Sequence, residues 1–321
     1  MNELLSQAAE FFNDFTPLAK ICGRMAIQAV GIVFAAMLLQ FFEERLTARI
    51  QMRPPRKVCA FFAQPVKAFF KEPFVPLTAQ KAAYLSAPVL ALTLAVFFCF
   101  FLPFKTGFET SFGALYLMFA APFCVYAFVL GAWGSGSRFA FFGAVRMIAQ
   151  ILPAQLIMGF IVCSVLISAG SADVREIMSA QKKIWFAVPH LPLFALYLPC
   201  AAMTIVQTPF NSPKAARGLA SGVYAEYGGM PYQMMKTAES VLELLLAALG
   251  VILFLGGASS AWGWLLKTTA VAFALTVMKA AMSDVKTELL MRESFKTVLP
   301  FTVLWLFLTA AAVLFFDGGA G

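Results

Sequence analysis

The sequence predicts an all-α, polytopic membrane protein with about eight transmembrane helices and an added amphipathic helix on the cytoplasmic side. Three observations predict it. Hydrophobic residues make up 61% of the 321-residue chain and charged residues 12%, more apolar surface than a soluble domain of this size can hide. The mean hydropathy is +0.82. The apolar residues also gather into eight stretches, each close to the length of about 20 residues that crosses the hydrocarbon of a bilayer. These are 19–42, 82–104, 113–134, 143–169, 184–207, 234–256, 262–283 and 298–316.

The first stretch begins with Lys20 and Arg24, as a signal peptide would. It lacks a small-residue cleavage site and seven further stretches follow it, so it is read as mature structure. Residues 58–72, VCAFFAQPVKAFFKE, are too short and too charged to span. Phe61, Phe62, Val66, Phe69 and Phe70 can share much of one helical face, with Lys67 and Lys71 stacked at i, i+4. That pattern predicts an amphipathic helix lying at the membrane surface, and a generic interfacial anchor has the same pattern. No internal repeat or low-complexity linker divides the chain, so residues 1–321 are read as one integral membrane domain. Loop 208–233 is long, polar and rich in Gly and Pro, the composition of a docking surface.

The basic residues set an orientation. The loop after the first stretch holds Arg45, Arg49, Arg53, Arg56, Lys57, Lys67, Lys71 and Lys81, and the other odd-numbered loops add Arg138, Lys214, Arg217, Lys286, Arg292 and Lys296. The even-numbered loops hold Lys105, Arg175, Lys182 and Lys183. The positive-inside rule puts the odd loops in the cytoplasm and both termini outside, in the cytoplasmic (inner) membrane. The net charge of +8 is concentrated in the first of these loops, which points to the lipid bilayer as partner and away from nucleic acid. The cysteines, Cys22, Cys59, Cys99, Cys124, Cys163 and Cys200, are scattered. Their spacing suits neither zinc nor an iron–sulfur cluster, so no metal ligands are expected. His190 stands alone and reads as a polar group at a helix end.

A few charges fall inside the apolar stretches. Glu239 and Glu243 are one helical turn apart, with Lys236 a turn before Glu239. Arg146 and Gln150 share a face, and Lys267 and Lys279 lie in or near the seventh stretch, with Asp284 just beyond it. Each ion at mid-membrane costs about 2.5–3.5 kcal/mol on insertion scales, so such groups face a partner, water or another subunit. Carboxyls in a poorly hydrated bundle suit proton exchange near neutral pH. A packing salt bridge between Lys236 and Glu239 is the other reading.

Four stretches, in order, resemble the H subunit of bacterial NADH–quinone oxidoreductase (complex I), a family that includes the membrane subunit of energy-converting group 4 hydrogenases. The first is Glu44-Arg45, Gln51, Arg53, Gln64-Pro65, Lys71-Glu72 and Ala87-Pro88. The second is Gly131 to Gln150, GAWGSGSRFAFFGAVRMIAQ. The third is Pro209-Phe210-Asn211-Ser212-Pro213, then Ala225-Glu226-Tyr227-Gly228-Gly229-Met230 and Glu239. The fourth is Lys279, Lys286, Glu288, Leu290-Met291-Arg292 and Leu299-Pro300.

The resemblance implies a membrane subunit that is not catalytic alone. It would dock the iron–sulfur and large-subunit proteins of a peripheral arm, adjoin antiporter-like membrane subunits, and wall a quinone site at the interface with partners, binding no cofactor itself. In that setting Glu226, Glu239 and Glu243, with Arg146 paired to one of the acids, would couple electron transfer to ion movement. Arg45, Arg53, Lys71, Glu72 and Arg138 would position the arm or the quinone mouth.

The chain also departs from the family pattern. Arg53-Pro54-Pro55-Arg56 replaces an Arg-x-Gly-Pro-Asn segment, and the amphipathic helix is about one turn shorter. Gln155 and Asn211 stand where acids are usual, and Met203-Thr204-Ile205-Val206-Gln207 replaces an Ala-Glu-Thr-Asn-Arg run. The later loop acids fall on Lys214, Ala216 and Gly218. The Arg-Pro-Pro-Arg segment and the short helix suit a hydrogenase subunit, which needs no quinone pocket; Glu226 to Met230 suits the complex I branch. A stand-alone transporter would show two corresponding halves with broken helices, a symmetry absent from this sequence. An inert anchor would explain the lost acids but not the retained Glu226 and Glu239.

Overall fold

The structure is a computed structural model. It describes residues 2–72, 74–104, 108, 110–205, 210, 222–258, 260–282 and 285–318, with side chains from 22 to 315 apart from 60. Lys105, the segment around Asn211, Lys214 and Arg217, and Asp284 lie outside the described residues. Those described form helices and no strand. In order they are α1 (Asn2–Ile50), α2 (Val58–Phe69), α3 (Lys81–Cys99), α4 (Gly113–Gly134), α5 (Arg138–Ala169), α6 (Val174–Ala180), α7 (Leu191–Thr204), α8 (Gly229–Phe254), α9 (Ala261–Ala281), α10 (Thr287–Glu293) and α11 (Leu299–Gly318).

Seven of these segments are long and apolar enough to cross a membrane: α1 from Cys22, α3, α4, α5, α8, α9, and the run from α10 into α11. The last is one helix carrying a π-turn at Ser294–Val298. Pro300, two residues later, has no N–H to return to the turn below it, and a π-turn accommodates that break. The fifth expected span, 184–207, is a helix of only 14 residues, α7, about 21 Å long at 1.5 Å per residue. Pro189 disfavours helical backbone at Val188, and Pro192 sits in the first turn of α7, where no N–H is needed.

The chain still crosses at this point, because its two ends contact opposite faces of the bundle. Ala187 N–H donates to the Phe254 carbonyl at the end of α8 (2.9 Å). At Gly222 and Val223 the chain packs on Gly143, near the start of α5. The same sorting holds elsewhere. Gln80 N–H meets the Gly134 carbonyl (2.8 Å) on one face, and Ala114 N–H meets the Ala172 carbonyl (3.3 Å) on the other. Loops 51–80, 135–137 and 222–228 therefore share a face, here called the basic face.

Small residues set the helix spacing. Ala87, Ala91 and Ala95 form a fully buried i, i+4 stripe on α3 against α4. Such stripes let backbones approach closely where no hydrophobic driving force separates helix from lipid. Gly250 on α8 is another close approach: a Cβ there would lie 2.7 Å from the Tyr197 ring. α8 is the central helix, buried on all sides by α1, α3, α4, α7 and α9. By contrast, Ile27, Val30 and Phe34 on α1 are exposed at i, i+3, i+7, the outward stripe that lipid or a neighbour covers.

α2 lies along the basic face as expected, but only part of its apolar face is buried. Phe61 packs on Phe41 of α1 (ring centroids 5.1 Å apart), while Phe62, Val66, Phe69 and Phe70 are exposed. The helix thus leans one edge on the bundle and turns its apolar flank outward.

Candidate functional site: a buried charge network along α8

The acids of α8 are buried within the bundle, so they need partners close by. Glu239 and Glu243 are both buried, and they belong to two linked groups. Glu239 accepts from Lys236 Nζ (3.3 Å) and from the Tyr224 hydroxyl. Tyr224 lies in a short turn that follows the loop. Burial, and then the Glu239 carboxyl, hold its phenol well above the usual range. The hydroxyl therefore stays protonated and donates.

One turn along α8, Lys279 Nζ on α9 contacts Glu243 Oε2 at 2.7 Å and Glu43 Oε2 on α1 at 3.1 Å. The side chains of Glu43 and Lys279 are 15% and 12% exposed, and that of Glu243 is 1% exposed. Three helices meet at this one ammonium. Glu239 and Glu243 stand one turn apart on α8, so the two groups adjoin in one network from Tyr224 to Glu243.

Glu226 is half-buried at the edge of this network, and its backbone is pinned. Tyr84 on α3 donates its hydroxyl to the Glu226 carbonyl (2.7 Å) and lies near the Phe74 carbonyl (3.2 Å). Gly229 has φ of +62° and packs against the Lys71 carbonyl, 3.2 Å from where a Cβ would stand. Lys71 and Glu72 are thereby brought to the start of α8, with their side chains exposed.

Other expectations need correction. Arg146 is exposed and joins no acid in an ion pair among the described residues. Its helix face turns outward at that point, whereas Gln150, one turn on, is buried and donates to the Met203 carbonyl (3.1 Å). Lys267 takes no part in the network. Its Nζ caps the end of α8, 2.6 Å from both the Leu255 and Gly257 carbonyls, and it lies 4.7 Å from the Trp185 ring. A cation at a helix C-terminus complements the helix dipole.

His190 stands ahead of α7 and joins three helices. The Trp305 indole donates to its Nδ1 (3.1 Å), and its Nε2 lies 2.9 Å from Ser168 Oγ. An indole only donates, so Nε2 carries the hydrogen and gives it to Ser168. Among the described residues no three His, Cys, Asp or Glu side chains gather as a metal site.

The remaining predicted residues line the basic face. Arg53, Lys71, Glu72 and Arg138 are exposed. Arg45 stacks over the Phe41 ring at 4.5 Å, and Arg56 reaches Glu44 (3.6 Å) and Gln64 (3.3 Å). The two cavities described, about 320 Å³ beside His190 and about 20 Å³ beside Asp173, lie on the opposite face. Glu43 and Tyr224 are the members of the network that sequence reasoning missed; for Glu43 a signal was present. Its signal was a second acid beside Glu44 at the end of an apolar stretch.

Comparison with known proteins agrees with this architecture. The family model described as NADH dehydrogenase matches residues 24–310. The NADH-quinone oxidoreductase H subunit of Paramagnetospirillum magneticum is 32% identical over 316 residues, covering 91% of this chain and 93% of that protein. The corresponding H subunits of Rhodospirillum centenum and Rhodospirillum rubrum are 29% and 30% identical, covering 96% and 91% of this chain and 98% and 95% of theirs. The chain belongs to the family of complex I H subunits.

Proposed function

We propose that this chain is the membrane subunit of a complex-I-like respiratory oxidoreductase of the cytoplasmic membrane. It docks a peripheral electron-transfer arm, borders the quinone site and couples electron transfer to ion translocation. The observation that carries the reading is the charge network running from Tyr224 through Glu239 and Lys236 to Glu43, Lys279 and Glu243 in the middle of an apolar bundle. A helix bundle kept only as an anchor gains nothing from burying three carboxylates, since each costs several kcal/mol to insert.

The basic face supports the docking role. Arg53, Arg138, Lys67 and Lys71 are exposed there and suit the acidic surface of a partner or anionic headgroups. The positive-inside rule puts this face in the cytoplasm and both termini outside. The quinone is taken as a substrate. Neither described cavity adjoins Arg45, Arg53 or Lys71, so partner subunits would complete its chamber, with Arg45, Lys71 and Glu72 at its rim. Within this chain, Glu226, Glu239 and Glu243 hold and pass protons, and Tyr224 keeps a proton on the Glu239 side of the path.

The test is Glu239→Lys, with Glu239→Gln beside it, in the assembled complex reconstituted into vesicles. Donor-driven electron transfer and proton uptake are followed together. Electron transfer with lost pumping is the expected result; unchanged pumping overturns the role. An energy-converting hydrogenase subunit is the second reading, favoured by Arg53-Pro54-Pro55-Arg56. The large subunit that co-purifies with a tagged chain distinguishes the two.

A further inference from the structure

α7 is too short to line the bundle from face to face, and the gap it leaves is a cavity. Near its end Met203 Sδ meets Ser294 Oγ (3.9 Å), and at its start His190 meets Trp305 (3.1 Å). The run from α10 into α11 therefore passes antiparallel beside it. α11 then continues past Trp305 to Gly318, about 20 Å further at 1.5 Å per residue, with no α7 beside it. Along that overhang lies the cavity of about 320 Å³, at the lower end of the sizes that hold ligands. Leu308 and Ala312, one turn apart on α11, form one wall, and Phe186 and Pro189, ahead of α7, form the other. Ser168, His190 and Trp305 close the end nearest α7.

The polar groups on this lining are turned to protein, not to the space. The Trp305 indole donates to His190, His190 to Ser168, Ser168 to the Ser164 carbonyl (3.1 Å), and Thr309 to the Leu306 carbonyl (2.8 Å). Every side-chain donor of the lining is thus committed, and a water inside would find none to accept from. Leu308 and Pro189 are exposed, so the cavity opens sideways, where hydrocarbon lies. A chain of methylenes fits such a space. It does not select among lipids, because lipid tails are as apolar as this wall. A headgroup does. Lys182 and Lys183 are exposed in the turn before Phe186, and no more than about 11 Å of chain separates Lys183 from that ring. Ile184, Trp185, Val188 and Leu191 are exposed in the same segment, and an apolar segment carrying an exposed Trp suits the membrane surface. Of the acids that precede it, Asp173 is turned to its own helix, accepting from the Arg175 N–H (2.9 Å).

We propose that this cavity is a binding site for an anionic phospholipid. One acyl chain lies between α11 and the segment from Phe186 to His190, and Lys182 and Lys183 hold the phosphate. The lipid belongs to the leaflet away from the basic face. It fills the depth of bilayer that α7 leaves open and holds the overhang of α11 to the bundle. The site does not depend on the coupling role proposed for α8.

The test is photolabelling. The assembly purified through a tag on this chain is reconstituted into phosphatidylcholine vesicles containing a phosphatidylglycerol with a diazirine in its acyl chain. A phosphatidylcholine with the same chain is the neutral probe. Mass spectrometry maps the labelled peptides, with the exposed aromatic stripe of α4 at Tyr116, Phe119 and Phe123 as reference. The expected result is labelling of residues 186–190 and 305–313 above that stripe, with a preference of roughly tenfold for the anionic probe, as two lysines supply. Lys182→Gln together with Lys183→Gln should abolish the preference. Ala312→Trp fills the space and should abolish the labelling of 186–190 by both probes; if it fails to assemble, the surface lysine variant still decides. Equal labelling by the two probes overturns the proposal, as does a preference that survives the double glutamine variant. Labelling of 305–313 no stronger than that of the α4 stripe also overturns it, and a protein neighbour seated over the cavity would give that result.

Discussion

Tyr227 lies flat on Tyr84, with ring centroids 4.3 Å apart and planes 4° from parallel. The Tyr227 hydroxyl donates to the Tyr84 carbonyl (3.0 Å), and the Tyr84 hydroxyl donates to the Glu226 carbonyl (2.7 Å). Two residues 143 positions apart in sequence thus fasten the segment bearing Glu226 to the start of α3. Burial, with Tyr84 beside it, raises the Tyr227 phenol above its usual range, so it remains a donor at any physiological pH.

Tyr227→Ala removes a buried ring and should destabilise the protein by about 3–5 kcal/mol. Tyr84→Phe keeps the ring and should cost about 1–2 kcal/mol through the lost hydrogen bonds. Thermal unfolding of the purified complex, with protease cleavage within residues 205–229, measures both. Equal effects would show that the stacking contributes nothing beyond the hydroxyls.

Lys279→Met strands two acids around a lost cation and should cost about 3–5 kcal/mol, seen as poor recovery of the assembled complex. Adding Glu243→Gln to that variant should restore part of the yield. Additive losses would mean that the 2.7 Å contact does not hold α8 to α9.

Tyr224→Phe withdraws the hydroxyl from Glu239 while leaving its ring packed near Tyr232 (5.7 Å between centroids). Electron transfer should continue, and the proton yield per electron should fall when both are measured in vesicles. An unchanged ratio would remove Tyr224 from the path.

Gly250→Ala places a methyl group 2.7 Å from the Tyr197 ring, whose hydroxyl is held by the Leu246 carbonyl on the same helix. Overpacking of this kind costs about 1–3 kcal/mol. The melting temperature of the complex reports it, and Gly159→Ala, with nothing within 4 Å, is the control.

His190→Phe keeps an aromatic shape but leaves the Trp305 indole without an acceptor and Ser168 without a donor. The expected loss is about 1–3 kcal/mol. A variant as stable as the parent would reduce His190 to a space filler.

Much of this protein is written in local pattern. Apolar length marks α1, α3, α4, α5, α8, α9 and α11, because a bilayer demands about 20 apolar residues whatever the neighbours are. Helical spacing puts Lys236, Glu239 and Glu243 on one line for the same local reason, and amphipathic periodicity finds α2. Local pattern overestimates α7, where apolar residues continue through Pro189 and Pro192 although the helix does not.

Tertiary structure decided the pairing. Periodicity says which residues share a face but not what that face meets, so Arg146 looked like a partner for an acid and is exposed instead. Lys267 looked like a membrane charge and caps a helix end. Glu43, 200 residues from Glu243 in sequence, joins it only because α1, α8 and α9 pack around Lys279. The sequence by itself determined the seven long spans, their order and the family. Which charges balance one another was decided by helix packing, since ion pairing depends on distances that only the folded bundle sets.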